Sequence, residues 1–122
     1  MKGEIIKLIE AIDKNIEYCE WVKSHNTDSY FKELYSEITE LQKAIENNDI
    51  DNIKEELGDV LWDLVMLIRI SENEFNIDSK EIVNDIIKKI KRRKPHVFDG
   101  KILSIEETKK NWKEAKKKEK NK

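Results

Sequence analysis

The sequence predicts an all-α fold: a bundle of four to five helices around a central antiparallel hairpin, completed by dimerisation. Three observations predict it. The 122 residues include only three glycines and one proline, which leaves few sites for the tight turns that strands need. Charged residues make up 41% of the chain and hydrophobic ones 38%, a mixture suited to long helices with narrow apolar stripes. Apolar residues recur at intervals of three and four rather than alternating. The length suits one domain, expected over residues 1–120, with a lysine-rich C-terminal segment from about residue 109. A thin helical chain of this size buries little surface alone, so part of its apolar surface is expected to meet a second copy.

The elements follow in order. Ile5, Leu8, Ile9, Ile12 and Ile16 define an amphipathic helix over about Lys2 to Tyr18. The polar stretch from Ser24 to Ser29 interrupts it and offers N-cap residues for the next. That second helix, about Ser29 to Glu46, carries Leu34, Ile38, Leu41 and Ile45 as its stripe. Asn47-Asn48-Asp49 ends it, and Asp51 is the expected cap of a third helix running to about Glu74. The third is the most apolar, with Ile53, Leu57, Val60, Leu61, Leu64, Leu67 and Ile68. So short a link makes the two an antiparallel hairpin. Asp78 or Ser79 opens a fourth helix bearing Ile82, Val83, Ile86, Ile87 and Ile90, and Pro95 stops it. A loop through Asp99-Gly100 leads to a last segment containing Trp112, helical at first and disordered at its end.

Charge is uneven along the chain. Eleven acidic residues face three lysines between Asp28 and Asp63, whereas six of the seven residues from Lys88 to Lys94 are basic. An acidic middle followed by a basic end suits a metal site paired with a polyanion site; solvated helix faces would give the same composition. Cys19 is the only cysteine, so no disulfide can form within the chain. With no apolar run near 20 residues and no signal-peptide pattern, the expected location is the cytoplasm and no membrane partner is expected.

Chemistry concentrates in the hairpin. Glu37 and Glu40 are three residues apart, as are Glu56 and Asp59. That spacing puts each pair on one helix face, flanking the apolar stripe. Packing through those stripes lets the pairs converge, with Asp63 on the same face as Glu56. Converging carboxylates repel one another and raise their pKa values. Mg²⁺, with Mn²⁺ as a substitute ion, resolves that conflict, because it binds carboxylate oxygens and leaves positions for phosphate. The alternative is ordinary surface glutamates on a charged helix.

Ser36-Glu37-Ile38-Thr39-Glu40, followed by Glu55-Glu56-Leu57-Gly58-Asp59, resembles the ExxE…EELGD signature of MazG-type nucleoside triphosphate pyrophosphohydrolases. Cys19-Glu20-Trp21 through Ser29 resembles the family's CPWD…S block. Lys89 through Phe98 resembles its K-x-x-RRHPHVF block, and Trp112 through Lys116 with Glu119-Lys120 its closing W-x-x-x-K-x-x-EK block. The similarity runs in order over about residues 15 to 120. Glu20 stands where the family has proline, Val22 where it has aspartate, Ser36 for the first of a Glu-Glu pair, and Lys94 for histidine. The first two departures weaken any transfer of substrate-loop contacts, while Ser36 leaves the metal pair intact.

The resemblance implies a MazG-like bundle that binds Mg²⁺ through Glu37, Glu40, Glu56 and Asp59. It implies hydrolysis of a (deoxy)nucleoside triphosphate between the α and β phosphates, with removal of non-standard or excess nucleotides as the role that analogy suggests. Relatives commonly assemble as homodimers or tetramers, so a homo-oligomer is expected. Lys89 and Arg93, four apart on one helix face, are suited to phosphate oxygens, and Lys54 is a further candidate. The resemblance puts Trp112 and Lys116 on the nucleotide and Trp21 in the base pocket. The alternatives are helix-terminal charges for the cations, a pin for the tail at Trp112, and a core role for Trp21. Trp62 is expected in packing, and His25 and His96 in loop hydrogen bonds. The rival reading is a non-catalytic helical module whose basic end binds nucleic acid or an acidic partner with steep salt dependence. Nucleic acid is the less expected partner, since a single aromatic follows Phe98 and the acidic face would have no role.

Overall fold

The computed structural model describes residues 1–121 and contains helices and no strand among them. It parses into two compact units, Met1–Ile77 and Asp78–Lys122.

In the first unit, α1 (Lys2–Tyr18) leads through the single turn of α2 (Glu20–Lys23) into the hairpin of α3 (Thr27–Glu46) and α4 (Ile50–Phe75). Helix α2 was not expected from the sequence; it places Val22 in the core at 4% exposure. Helix α3 starts two residues ahead of the expected Ser29. Asn26 and Ser29 form a reciprocal capping box, with Ser29 N donating to Asn26 Oδ1 at 2.8 Å and Asn26 N to Ser29 Oγ at 3.0 Å. The cap of α4 is Asp49, which accepts from Asn52 N at 3.3 Å, so the expected cap, Asp51, lies inside the first turn. Asn48, at φ 52°, supplies the left-handed residue that turns the chain between the helices.

Ile12, Val22, Tyr30 and Met66 form the core of this unit, with Leu8, Ile16, Trp62, Val65 and Ile70 packed around it. Arg69 ties α4 to α1 through Asp13 at 2.8 Å, and Thr27 N donates to Glu74 Oε2 at 2.8 Å. The expected stripes are only partly covered. Phe31, Tyr35, Ile38 and Ile45 on α3 and Leu57, Leu61 and Leu64 on α4 remain 40–63% exposed. Leu34 of the expected stripe is buried in the hairpin, as are Tyr30, Ala44 and Met66, which were not expected there. Each exposed set follows the three- and four-residue spacing of one helix face.

The second unit comprises α5 (Ser79–Arg93), α6 (Pro95–Phe98) and α7 (Ile105–Lys120). Asp78 caps α5 through Lys80 N at 2.9 Å. Pro95 ends α5 and serves as the first residue of α6, where its missing N–H costs nothing. Helix α7, capped by Ser104 accepting from Glu107 N at 3.1 Å, continues through Lys120. The disorder expected at the end of this segment is therefore corrected as far as Lys120. Glu119 is held by two arginines of α5, at 3.1 Å from Arg92 and 2.9 Å from Arg93, which anchors the last turn.

Candidate metal centre and phosphate-binding groups

Residues Glu37, Glu56 and Asp59 each offer an oxygen, and the three oxygens all lie within 4.8 Å of one another. Helix α3 contributes the first and α4 the other two, so the site exists only because the hairpin closes in this register. Glu40 is not part of that group. Its carboxylate lies 3.5 Å from Lys43 Nζ, three residues on along α3. Lys54 is exposed on the first turns of α4.

The crowding of carboxyl groups in this cluster falls on Glu37. A hydrogen bond shared with Glu56, burial, and the charges of Glu56, Asp59 and Asp63 push its carboxyl up to about 7. Glu56 Oε2 is sealed from solvent and meets no protein donor among the described residues, a costly position for an ionised oxygen. A divalent cation fits this donor set. Mg²⁺ takes hard oxygen ligands of this kind from one or two carboxylates and keeps several waters, so these residues would hold it while leaving positions for phosphate oxygens.

A pH dependence follows. Folded Glu37 keeps its proton up to about pH 7, whereas in the unfolded chain it ionises in the ordinary carboxylate range. The stabilisation is fully present below that range and is lost as pH rises through about 7. The melting temperature of the chelated protein is therefore expected to fall between about pH 5 and pH 8, and saturating Mg²⁺ should recover it at the upper end. A flat profile in chelator would contradict the shared-proton arrangement.

Asp63, one turn beyond Asp59, accepts a hydrogen bond from Tyr30 Oη at 3.0 Å. Burial, with smaller contributions from Glu33 and Asp59, raises its pKa, and the tyrosine bond acts against that rise. Beside Tyr30, Trp21 and His25 pack edge to face, with centroids 4.3 Å apart. Trp21 is half exposed and 6.1 Å from the Tyr30 ring. His25 Nδ1 pairs with Ser29 Oγ at 2.9 Å, and Trp62 packs against the core.

In the second unit, Arg93 is only 8% exposed. Its guanidinium carbon sits 4.7 Å from the Trp112 ring centroid and one terminal nitrogen 2.9 Å from Glu119. Lys94 Nζ lies 5.5 Å from the same ring. The Trp112 ring is thus in contact with cations of its own chain. Lys89 is half-buried on α5, beside a shallow cleft lined by Ile82, Asp85, Ile86, Lys88 and Arg92, and Lys116 is exposed on α7. His96 Nδ1 is buried with no partner among the described residues, so no hydrogen bond accounts for it. Tyr30 has no role legible in the sequence, and Glu119 is placed there only within the closing W-x-x-x-K-x-x-EK block; the partner each meets on another helix is what reveals its part.

An all-helical hairpin closing over three carboxylates defines a class of acidic-cluster proteins. Residues 25–98 match the MazG nucleotide pyrophosphohydrolase domain, and the chain belongs to that family. It is 36% identical over 104 residues to the uncharacterized protein YabN of Bacillus subtilis (strain 168), covering 84% of this chain and 21% of that one. It is 32% identical over 120 residues to the nucleoside triphosphate pyrophosphohydrolase/pyrophosphatase MazG of Thermotoga maritima, covering 98% of this chain and 45% of that one. It thus spans less than half the length of either relative. The crystal structure of a mazG-related protein from Thermotoga maritima superposes with a TM-score of 0.87 at 32% identity, covering 91% of this chain and 97% of that one. No helix among the described residues is long and apolar enough to cross a membrane.

Proposed function

We propose that the chain hydrolyses nucleoside triphosphates to the monophosphate and pyrophosphate with the help of Mg²⁺. The observation that carries this reading is the convergence of Glu37, Glu56 and Asp59 within 4.8 Å in a member of the MazG family. These three carboxylates are assigned to the cation. Exposed Glu40 is the fourth member, because exchanging a surface lysine contact for a cation costs little. Bound there, Mg²⁺ or Mn²⁺ would supply charge for the phosphates and lower the pKa of an attacking water. Glu37, which heads the first carboxylate pair, is assigned the proton of that water. Lys89, Arg93 and Lys116 are assigned to phosphate oxygens, Trp112 to holding Arg93 in place, and Trp21 to the base. Lys54 is a secondary cation near the carboxylates in sequence. Against the interaction-module alternative stands the cluster of Glu37, Glu56 and Asp59, to which a basic-tail module gives no role.

Purified protein incubated with each natural, deoxy and damaged triphosphate and Mg²⁺ is expected to release pyrophosphate. Orthophosphate as the primary product would overturn the reading.

The exposed faces of α3 and α4 support assembly as a homodimer, or as a tetramer built from dimers, since apolar stripes on two adjacent helices are rarely left in water. Leu61, central on the α4 face and 40% exposed, tests this. Leu61→Arg is expected to halve the mass seen by light scattering, and an unchanged mass would place the contact elsewhere.

A further inference from the structure

Two cross-helix pairs obey a single antiparallel register in the hairpin. Glu37 meets Glu56 and Tyr30 meets Asp63. The step is seven residues on each helix, in opposite directions. Seven residues are two turns, or about 10.5 Å of helix, so the two pairs are successive rungs on one face of the hairpin. They differ in sign. The Glu37–Glu56–Asp59 rung crowds three carboxyl groups and, when all three are ionised as cation ligands must be, pushes α3 from α4. The Tyr30–Asp63 rung is attractive, joining a phenol donor 2% exposed to a half-buried carboxylate at 3.0 Å. A phenol hydroxyl buried to this degree would be left unsatisfied without its acceptor, at the cost of its desolvation.

We propose that Tyr30, acting through Asp63, is a positioning residue that holds the two halves of the carboxylate cluster at binding distance before a cation arrives. Its hydroxyl touches neither the cation ligands nor the reacting atoms. It holds the α3–α4 register, so that Glu37 faces Glu56 and Asp59 despite their repulsion. Pre-organisation of this kind lowers the cost of assembling a site and appears in affinity. Asp63 is needed here as an acceptor and not for its charge, which the neighbouring carboxylates already oppose. This proposal rests on the reading of the cluster as a cation site.

The experiment is a titration of metal-free protein with Mn²⁺ by calorimetry, below the melting temperature of every variant. Tyr30→Phe removes one hydroxyl and keeps the buried ring; Asp63→Asn keeps an oxygen that accepts from Tyr30 while removing the charge. Tyr30→Phe is expected to weaken Mn²⁺ binding about tenfold, and Asp63→Asn to leave it within about twofold. The reverse pattern would make Asp63 a ligand and overturn the proposal. A Tyr30→Phe chain with a lowered melting temperature but unchanged Mn²⁺ affinity would reduce the pair to a packing contact, and also overturn it. Glu56→Gln separates the underlying reading: if that variant binds Mn²⁺ as the wild type does, the cluster is not the cation site and the proposal falls with it. Weak binding by Glu56→Gln beside wild-type binding by Tyr30→Phe defeats the positioning role alone.

Discussion

Glu56→Gln is expected to release pyrophosphate at least about a hundredfold more slowly than the wild type while melting at a higher temperature in chelator. Both effects have one cause. Glu56 Oε2 is buried without a donor among the described residues, and the Glu56 side chain is hydrogen-bonded to Glu37 beside Asp59. An amide of the same shape removes a charge from a repulsive cluster, so the metal-free fold gains stability. The same change deletes an anionic ligand, and cation affinity and rate fall together. Sites that carry such conflict commonly trade stability for activity. Thermal melts with and without Mg²⁺, alongside a pyrophosphate assay, check both halves. A variant that is both less stable in chelator and fully active would mean that Glu56 is an ordinary structural carboxylate.

The second large effect belongs to Arg93. Arg93→Ala is expected to raise the KM for triphosphate about 10- to 100-fold and to lower the melting temperature by several degrees. The kinetic loss follows from removing a guanidinium assigned to phosphate oxygens, a role for which bidentate geometry matters. The stability loss follows from what the side chain does within the second unit: it covers the Trp112 ring and binds Glu119. Glu119 has its carboxyl held below the usual range by Arg93 and Arg92, so it loses one partner and keeps the other. Arg93→Lys separates the two roles. It restores charge without the planar fork, and should recover less KM than a simple charge requirement would give. Initial-rate kinetics and circular dichroism melts measure both, and an unchanged KM in Arg93→Ala would remove Arg93 from the substrate site.

Much of the helical layout was legible in the sequence because its signals are local. The three- and four-residue spacing marked α1, α3, α4 and α5, and Pro95 marked the end of α5. Local signals also misled where several residues could serve. Asp49 caps α4 although Asp51 is equally suited by type. The single turns α2 and α6 are too short to show a period. Helix α7 persists through Lys120 because Arg92 and Arg93 hold Glu119, a contact no property of the segment itself announces.

The carboxylates divide the same way. Spacing alone set the angle at which Glu37, Glu40, Glu56 and Asp59 leave their helices, since that angle depends only on 3.6 residues per turn. It could not say which oxygens meet across the hairpin. That depends on how α3 slides and rotates against α4. The packed register brings Glu37 to Glu56 and Asp59, leaves Glu40 with Lys43, and sets Tyr30 opposite Asp63. Helix identity, the acidic face and the basic end were thus determined by the sequence through local periodicity. The membership of the cluster, the pairing of Arg93 with Trp112 and Glu119, and the exposed faces of α3 and α4 were decided by tertiary structure, because each depends on residues distant in sequence that packing alone brings together.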